Sequence, residues 1–354
     1  MTNLGSFEMK KINTAVIGLG RIGWGFHLPQ IARHSGFNLT AAADTSEERL
    51  LEAKEKYSVR GYTNYIEMYE KENPDLVVIA SPTLFHREQA AGAMERGFDV
   101  FLDKPMAVDL KEADEIIRVM DRTGRKLMVY QPHRVTAEFT TLQDILKRGL
   151  IGRIYMIKRA CSDYIRRNDW QALKKNGGGM LNNYGAHYID QLLCFANSSV
   201  QRITCSMHRI ASIGDADDVV KAVMETQNGL TLDLDINMAA AEPIPSWMVF
   251  GSHGSVTLKK AGEREVFHVR YFNESQLGEL ILHSELAAQK RSYRNFEEIR
   301  WHEEEILVPL KESIDFYDKC YEYYALGEKP FIPVAETREV MRIINECRED
   351  AGWD

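Results

Sequence analysis

Two short stretches of this sequence place side chains that can move protons beside residues that shape the backbone. Lys104 lies between Asp103 and Pro105, and His187 follows Asn183 by four residues. A lysine can hydrogen-bond an oxygen atom and stabilise negative charge on it, and a histidine is well suited to take a proton near neutral pH. Taken singly, each residue also fits a structural role, because most lysines are solvated and histidines on packed helices are often hydrogen-bonded in the core.

Both residues follow segments that can position them. Lys104 comes directly after residues 99–102, a predicted strand, and open α/β sheets bind ligands at the carboxyl ends of their parallel strands. His187 lies within residues 177–195, where three glycines lead into an apolar segment of helical period. The spacing predicts that Asn183, His187 and Asp190 share one side of this helix.

A glycine-rich turn near the start of the sequence predicts a phosphate-binding loop. Residues 14–17 are an apolar run typical of a buried strand, Gly18, Gly20 and Gly23 follow, and an amphipathic segment begins around Arg21. In the order strand, turn and helix, this spacing is typical of dinucleotide binding, although glycines alone also serve ordinary turns. Gly20 has no side chain, so a pyrophosphate can approach the backbone, and the helix N-terminus offers N–H groups and partial positive charge.

An acid at the end of the second predicted strand, residues 37–44, bears on the choice of dinucleotide. Asp44 can accept hydrogen bonds from both ribose hydroxyls of NAD and would repel the additional phosphate of NADP, so NAD is favoured over NADP. Thr45 and Glu48 form a predicted capping box for the next helix, which leaves Asp44 free for this task. Three observations weaken the interpretation: Arg49 is near, a strand-end acid can simply be exposed or cap a helix, and a methyltransferase also pairs a glycine-rich loop with such an acid.

Composition and charge limit the classes of protein to which the chain can belong. Its 354 residues favour two domains, and 44% hydrophobic and 27% charged residues are ordinary for a globular protein. The net charge of −8, without a basic block, argues against a nucleic-acid partner. Five scattered cysteines without a C-x-x-C pair indicate reduced thiols rather than disulfides or a metal site. No membrane-spanning run or signal core is found, so we expect a cytoplasmic protein without a membrane partner.

Strands and helices alternate over the first third of the chain. The clearest strand is residues 75–80, a nearly continuous β-branched run that is typical of a central parallel strand buried on both faces. Further strands are predicted at residues 61–62, 99–102 and 126–130, with helices ending at residue 57 and covering residues 65–71, 85–96 and 109–124. Such alternation predicts a doubly wound parallel sheet.

The pattern then changes to longer strands of period two. Residues 218–238 alternate apolar and polar side chains on both sides of Asn228-Gly229, which is a strong hairpin signal. A second turn is predicted at residues 251–255, and helices at residues 136–147, 310–326 and 335–350. The predicted fold class is α/β, with an N-terminal Rossmann doubly wound sheet over residues 1–132. A C-terminal α+β domain follows over residues 133–354, with a large, mainly antiparallel sheet whose exposed face is a candidate interface for a homodimer or homotetramer.

Four ordered motifs resemble those of the Gfo/Idh/MocA family, the glucose–fructose oxidoreductase and inositol dehydrogenase group. GLGRIGWGFHLP resembles the family's opening turn, and SPTLFH its T-P-x-x-x-H turn. LDKP resembles its E-K-P, with Asp103 in place of glutamate, and GGGMLNNYGAHYID resembles its helix with the pattern D-x-G-x-H-x-x-D. The resemblance covers most of the chain and implies a sugar, cyclitol or similar polyol as the substrate.

The resemblance also implies that Lys104 and His187 line the substrate beside the nicotinamide of NAD. In the resulting hypothesis His187 takes the hydroxyl proton of a secondary alcohol and Lys104 stabilises the oxygen. The polar and aromatic residues 164–170 are expected to influence substrate choice. The predicted substrate-binding residues are Asn183, Asp169, Tyr164 and Arg166. The predicted cofactor-binding residues are Gly18, Gly20, Arg21, Ile22, Gly23, Asp44, Ser81, Pro82, His86, Asp103, Lys104 and Gln131.

One departure from the family pattern matters for the mechanism. Asn183 stands where the family often has aspartate, and an amide cannot stabilise a charged imidazolium as a carboxylate does. Some sugar-nucleotide dehydrogenases of the family resemble this chain in having asparagine there, so the departure is compatible with activity. Two alternatives in the same fold stay open: an NAD-dependent glycosidase and a non-catalytic dinucleotide-sensing regulator, although the retained pair of Lys104 and His187 argues against the regulator.

Overall fold

The structure is a computed structural model that describes residues 11–282 and 298–353. The segment in which the sequence lacks a signal core, residues 1–11, lies almost wholly outside the described part. Six strands form the first sheet: β1 (Ile12–Ile17), β2 (Phe37–Ala43), β3 (Arg60–Tyr62), β4 (Leu76–Ile79), β5 (Asp99–Leu102) and β6 (Leu127–Val129).

All neighbouring strands of this sheet are parallel, in the order β3-β2-β1-β4-β5-β6. The helices that connect them are α1 (Leu28–Arg33), α2 (Glu47–Tyr57), α3 (Tyr65–Glu72), α4 (His86–Glu95) and α5 (Leu110–Thr123). The predicted doubly wound sheet is therefore confirmed. The order reverses between β1 and β4, and such a switch point leaves a crevice at the carboxyl ends of the strands.

Eight strands form the second sheet, in the order β14-β13-β12-β11-β7-β10-β9-β8. Their bounds are β7 (Ile154–Ser162), β8 (Val200–His208), β9 (Val219–Thr226), β10 (Thr231–Asn237), β11 (Trp247–Gly251), β12 (Gly254–Ala261), β13 (Arg264–Tyr271) and β14 (His302–Leu307). All neighbours are antiparallel except β7 and β10, which are parallel. The predicted large, mainly antiparallel sheet is confirmed.

The predicted hairpin is formed by β9 and β10, with Gly229 at φ +81° in the turn. Every second residue of β10 is buried against helices, as the alternation predicts. The polar face departs from the prediction at Asp233, which is only 6% exposed because the ammonium groups of Lys158 and Lys221 cover it.

Helices α6 (Ala137–Lys147) and α7 (Ala186–Ala196) pack with this sheet, and α8 (Phe316–Tyr324) and α9 (Val334–Ala351) close the chain. The prediction for α9 is confirmed to within one residue at each end. The predicted start of α8 at residue 310 is wrong by six residues, because the Asp315 side chain caps the helix by accepting a hydrogen bond from the Tyr317 N–H. No helix in the described ranges is long and apolar enough to cross a membrane.

Helix α8 follows the second sheet in the chain but packs on the first. Phe316 stacks on Phe101 of β5 at a centroid distance of 5.8 Å, and the Tyr324 hydroxyl donates to the Val100 carbonyl. Both faces of the parallel sheet are thus covered, one of them partly by α8, whose Tyr324 is 224 positions after Val100 in the sequence.

Candidate active site

One cleft collects most of the residues to which the sequence assigns chemistry. From the parallel sheet it is lined by the loops that follow β1, β2, β4, β5 and β6. The opposite wall comes from residues 167–187 of the second domain. Of the predicted site residues, the cleft brings together Gly18, Gly20, Arg21, Ile22, Asp44, Ser81, Pro82, Asp103, Lys104, Asp169, Asn183 and His187.

Glycine is suited to each of the three positions of the opening turn for a different steric reason. Gly18 has φ +89°, and a Cβ there would lie 2.6 Å from the Ser81 nitrogen. A Cβ on Gly23 would lie 1.8 Å from the Gly18 carbonyl oxygen, so this glycine lets the helix start close to β1. A Cβ on Gly20 would meet no atom within 4 Å, which leaves open space above the turn for a ligand. These residues fit the pyrophosphate of a dinucleotide.

Asp44 lies at the end of β2 beside this turn. Its carboxylate accepts hydrogen bonds from the Leu19 N–H at 2.7 Å and the Ser46 N–H at 2.9 Å, and Arg49 Nη1 lies 3.5 Å away. The predicted capping box of Thr45 and Glu48 is wrong, because Ser46 is the N-cap of α2 and accepts from the Arg49 N–H. Asp44 is therefore already bonded to the glycine turn, and its remaining lone pairs are available to a ribose.

Lys104 joins the two walls of the cleft. Its Nζ donates to the main-chain carbonyl of Asn183 at 2.8 Å and to the Asn183 Oδ1 at 3.0 Å. Burial lowers the pKa of Lys104 to about 8, although the neighbouring Asp103 raises it, while Arg21 and Arg167 lower it further. Burial also raises the pKa of Asp103 to about 6, with Lys104 opposing the shift. The pair thus titrates close to physiological pH, which is typical of functional sites.

His187 is stacked on a second histidine that the sequence analysis did not assign. The rings of His187 and His133 are 4.0 Å apart and 5° from parallel, and neither Nδ1 has a hydrogen-bond partner. Burial, followed by the charges of Lys104, His133 and Arg159, holds the pKa of His187 well below its ordinary value. Its imidazole is therefore neutral at neutral pH. The presence of a titratable ring directly after Pro132, beside the predicted domain boundary, was the available sequence signal for His133.

A π-helical turn directly precedes each of the two helices α1 and α7. One covers Gly23–His27 before α1, and the other covers Leu181–Gly185 before α7. The second contains Asn183, whose carbonyl accepts the hydrogen bond from Lys104. Such turns are rare and are often found at functional sites. The predicted helical segment around His187 thus exists, but its first part is wider than an α-helix.

Several residues singled out in the sequence lie outside the cleft lining. Asp190 forms a buried two-pronged ion pair with Arg134 at 2.6 and 2.7 Å, so it does not join Asn183 and His187. The ring nitrogens of His86 lie 2.9 Å from the carbonyl oxygens of Pro105 and Ser81, which joins the loops after β4 and β5. Gly23 packs beneath the turn, and the buried Gln131 lies near the Ala186 carbonyl at 3.4 Å.

The segment that precedes the three glycines contributes different residues from those predicted. Tyr164 is 57% exposed and pairs with Ala239 in an isolated bridge, and Arg166 is exposed, so neither lines the cleft. Arg167 and Trp170 line it instead, together with the predicted Asp169. Adjacent side chains in an extended segment point to opposite sides, and the sequence alone did not indicate which side faces the cleft.

A parallel sheet with a glycine turn at its switch point, closed by a second domain that carries polar side chains, defines a dinucleotide-dependent enzyme. Residues 12–131 match the family model described as "Oxidoreductase family, NAD-binding Rossmann fold", and residues 139–257 match the "GFO/IDH/MocA C-terminal domain". The chain belongs to the Gfo/Idh/MocA family of oxidoreductases.

Relatives in sequence include enzymes with different named reactions. Myo-inositol 2-dehydrogenase of Thermotoga maritima is 26% identical over 71% of this chain and 76% of its own length. The 2,7-anhydro-N-acetylneuraminate hydratase of Mediterraneibacter gnavus is 23% identical over 76% of this chain and 74% of its own. The match to an uncharacterized oxidoreductase of Schizosaccharomyces pombe, C26H5.09c, spans about half of each chain, 52% in both cases.

Solved structures share the fold over nearly the whole chain. An NAD-binding protein from Listeria innocua has a TM-score of 0.81 at 21% identity and covers 97% of this chain and 95% of its own. The WlbA dehydrogenase from Bordetella pertussis, in complex with NADH and UDP-GlcNAcA, has a TM-score of 0.75 at 20% identity, with 97% coverage of both chains. At these identities the similarity establishes the fold.

Proposed function

We propose that the protein is an NAD-dependent oxidoreductase that interconverts a secondary alcohol and a ketone in a sugar, cyclitol or sugar derivative. The observation that carries the proposal is the position of Lys104, which bonds Asn183 across the cleft that also contains the open space above Gly20. When bound, NAD would supply the hydride acceptor.

The cofactor would be held by residues of the first domain. The glycine turn, with Gly18, Gly20 and Arg21, would bind the pyrophosphate, and Asp44 would accept hydrogen bonds from the adenosine ribose. Arg49 lies 3.5 Å from Asp44 and could bind a 2′-phosphate, and the carboxylate of Asp44 offsets its charge. This arrangement supports NAD over NADP.

The proton is transferred by Lys104 in this proposal. Two of its N–H groups are directed to the two oxygens of Asn183, which leaves one tetrahedral position of Nζ for a substrate oxygen. In the ammonium form that position holds an N–H that stabilises an alkoxide, and in the amine form it holds a lone pair that accepts a hydroxyl proton. With a pKa of about 8, both forms are populated near working pH.

His187 then acts as a neutral hydrogen-bonding partner of the substrate. Burial, followed by the charges of Lys104 and Arg159, disfavours an imidazolium at this position and lowers the pKa of His187, and Asn183 supplies no carboxylate to offset these effects. The roles proposed from burial and charge at the site are thus the reverse of those expected from the sequence, where His187 takes the proton. The oxygen that Lys104 protonates would be oriented by the His187 ring.

The test is a panel of sugars and cyclitols incubated with NAD and scored by NADH absorbance. We expect net NADH formation with at least one secondary alcohol. Substrate consumption without net NADH would contradict the proposal and favour the NAD-dependent glycosidase, and absence of nicotinamide binding would contradict the proposed cofactor. The absorbance assay is paired with product analysis, so these outcomes are separable.

Cofactor choice is tested by fluorescence titration of NADH and NADPH. The protein should bind NADH more tightly, and Asp44→Ala should weaken NADH binding and reduce the discrimination against NADPH, because the ribose loses its acceptor and the phosphate loses a repelling charge. Tighter binding of NADPH by the unaltered protein would contradict the assignment.

The second sheet is proposed to form the interface of a homodimer or homotetramer. One of its faces packs on α7 and α9, while Val223, Met248 and Phe250 lie half-buried on the opposite face, alternating with fully buried residues. In the chain after β13, Leu280, Ile281 and Leu282 are 80%, 73% and 92% exposed. Consecutive exposed apolar side chains favour coverage by a second copy of the chain.

A further inference from the structure

Arg167 lines the cleft with part of its guanidinium unused. Its Nη1 donates to both oxygens of Asp169, at 2.9 and 3.2 Å, and to the side-chain oxygen of Gln171. The side chain is 16% exposed, and Nε is buried without a hydrogen-bond partner. Among the described residues, Nη2 also has no acceptor. The Nε–Nη2 edge, which is the edge used for two-pronged binding, therefore has no hydrogen-bond partner within the described part of the chain.

The arginine is held in place by its surroundings. Its main-chain carbonyl accepts from the Ile213 N–H at 3.1 Å. Its partner Asp169 is itself fixed, because it caps the turn Trp170–Ala172 by accepting from the Gln171 N–H at 3.0 Å. A guanidinium held on one side in this way loses little conformational entropy when its other edge binds a ligand.

Arg167 is also close to the centre of the proposed reaction. Its charge contributes to the lowered pKa of Lys104 and acts on Tyr184, which lines the same cleft. Trp170, 40% exposed, lines the same cleft. A ligand at Lys104 would therefore have a cation and an aromatic surface within reach.

We propose that the Nε–Nη2 edge of Arg167 binds a carboxylate of the substrate, so that the substrate is a sugar acid or a sugar derivative that carries a carboxylate. A planar carboxylate matches the two parallel N–H donors, whereas a single hydroxyl satisfies only one of them. The inference rests on the proposed function, because it places the substrate in the same cleft. The competing source of an anion is a phosphate of the cofactor.

The experiment measures binding rather than turnover. Calorimetric titration of the NADH-saturated protein compares matched pairs: glucuronate with glucose, galacturonate with galactose, and mannuronate with mannose. In at least one pair the acid should bind about tenfold more tightly than the neutral sugar, as a charged hydrogen-bonded pair allows. Arg167→Met should abolish that preference, and Arg167→Lys should retain part of it, since the charge stays and the two-pronged edge is lost.

The matched control is Arg166→Met, which removes an adjacent arginine outside the cleft and should leave the preference unchanged. Thermal unfolding and NADH titration verify that each variant is folded. The inference is overturned if no acid binds more tightly than its neutral partner, if Arg167→Met keeps the preference, or if that variant weakens NADH instead, which would assign Arg167 to the cofactor phosphate. NADH formation from a neutral sugar without an acid preference would overturn this inference alone and leave the oxidoreductase proposal standing.

Discussion

Among single residues, Lys104 and His187 share a site but differ in charge. Lys104 can exist as ammonium or amine near pH 8, whereas the surroundings of His187 keep its ring neutral. We expect Lys104→Met to lower kcat by roughly 10²–10⁴-fold, the usual contribution of a positioned acid or base. His187→Gln should cost less, because an amide preserves a hydrogen bond to the substrate. Initial rates of NADH formation measure both.

Thermal unfolding supplies the control for Lys104→Met. The pKa of Lys104 is about 8 in the folded protein and 10.5 for a free lysine, so the unfolded chain binds more protons between these values. The free energy of unfolding therefore rises with pH over that window. Below pH 8 the charged Lys104 lowers the free energy of unfolding. The variant should unfold at a higher temperature than the parent at pH 7. A larger loss of kcat in His187→Gln than in Lys104→Met would indicate that His187, rather than Lys104, transfers the proton.

A carboxylate at position 183 is expected to change how readily Lys104 gives up its proton. In Asn183→Asp a carboxylate would replace the amide oxygen 3.0 Å from Nζ and stabilise the ammonium, which raises the pKa of Lys104. Because oxidation of an alcohol needs the amine, the rise of kcat/KM with pH should move to higher pH and the rate at pH 7 should fall. Profiles from pH 6 to 10 test this, and a midpoint that stays in place or moves to lower pH would contradict it.

At the level of elements, substitutions in the turn between β1 and the following helix should distinguish effects on folding from effects on cofactor binding. Gly20 and Gly25 both have room for a Cβ, but only Gly20 lines the cleft. Gly20→Ala should fold normally and bind NADH about tenfold more weakly or worse, since a methyl group intrudes where the pyrophosphate meets the backbone. Gly25→Ala, the matched control, should change neither the melting temperature nor NADH affinity.

Gly18 completes this comparison. Gly18→Ala places a Cβ at φ +89° and 2.6 Å from the Ser81 nitrogen, so it should lower the melting temperature strongly. NADH affinity is measured by fluorescence titration. If Gly20→Ala binds NADH as tightly as the unaltered protein, the cofactor does not approach this turn.

For the whole molecule, the outer face of the second sheet predicts self-association. The mass in solution, measured by light scattering, should be a multiple of 40.6 kDa. A double variant, Val223→Glu with Phe250→Glu, places two carboxylates on the half-buried face and should shift the protein towards the monomer, because charges are costly in a closed interface. Lys260→Glu, on an exposed position of β12 that alternates to the other face of the sheet, is the charge control. A monomeric parent protein would contradict the proposal.

Local patterns in the sequence were sufficient to predict the architecture. The β-branched run before Ser81 and the alternation around Gly229 reflect burial on two faces and on one face, and both properties depend on neighbouring residues in the chain. The glycine spacing around Gly20 likewise reflects a short-range steric need. For this reason the two sheets, their order in the chain and the dinucleotide turn could be inferred before the structure was known.

The contacts that define the chemistry were decided by packing between distant segments. Lys104 and Asn183 are 79 residues apart, and only the docking of the two domains brings Nζ within 2.8 Å of the Asn183 carbonyl. The selection of Arg167 over Arg166 and the pairing of Asp190 with Arg134 have the same origin. Residue types at a given spacing determine which side chains can do chemistry, whereas burial and partner charges, which set the pKa of each group, exist only after the chain has folded.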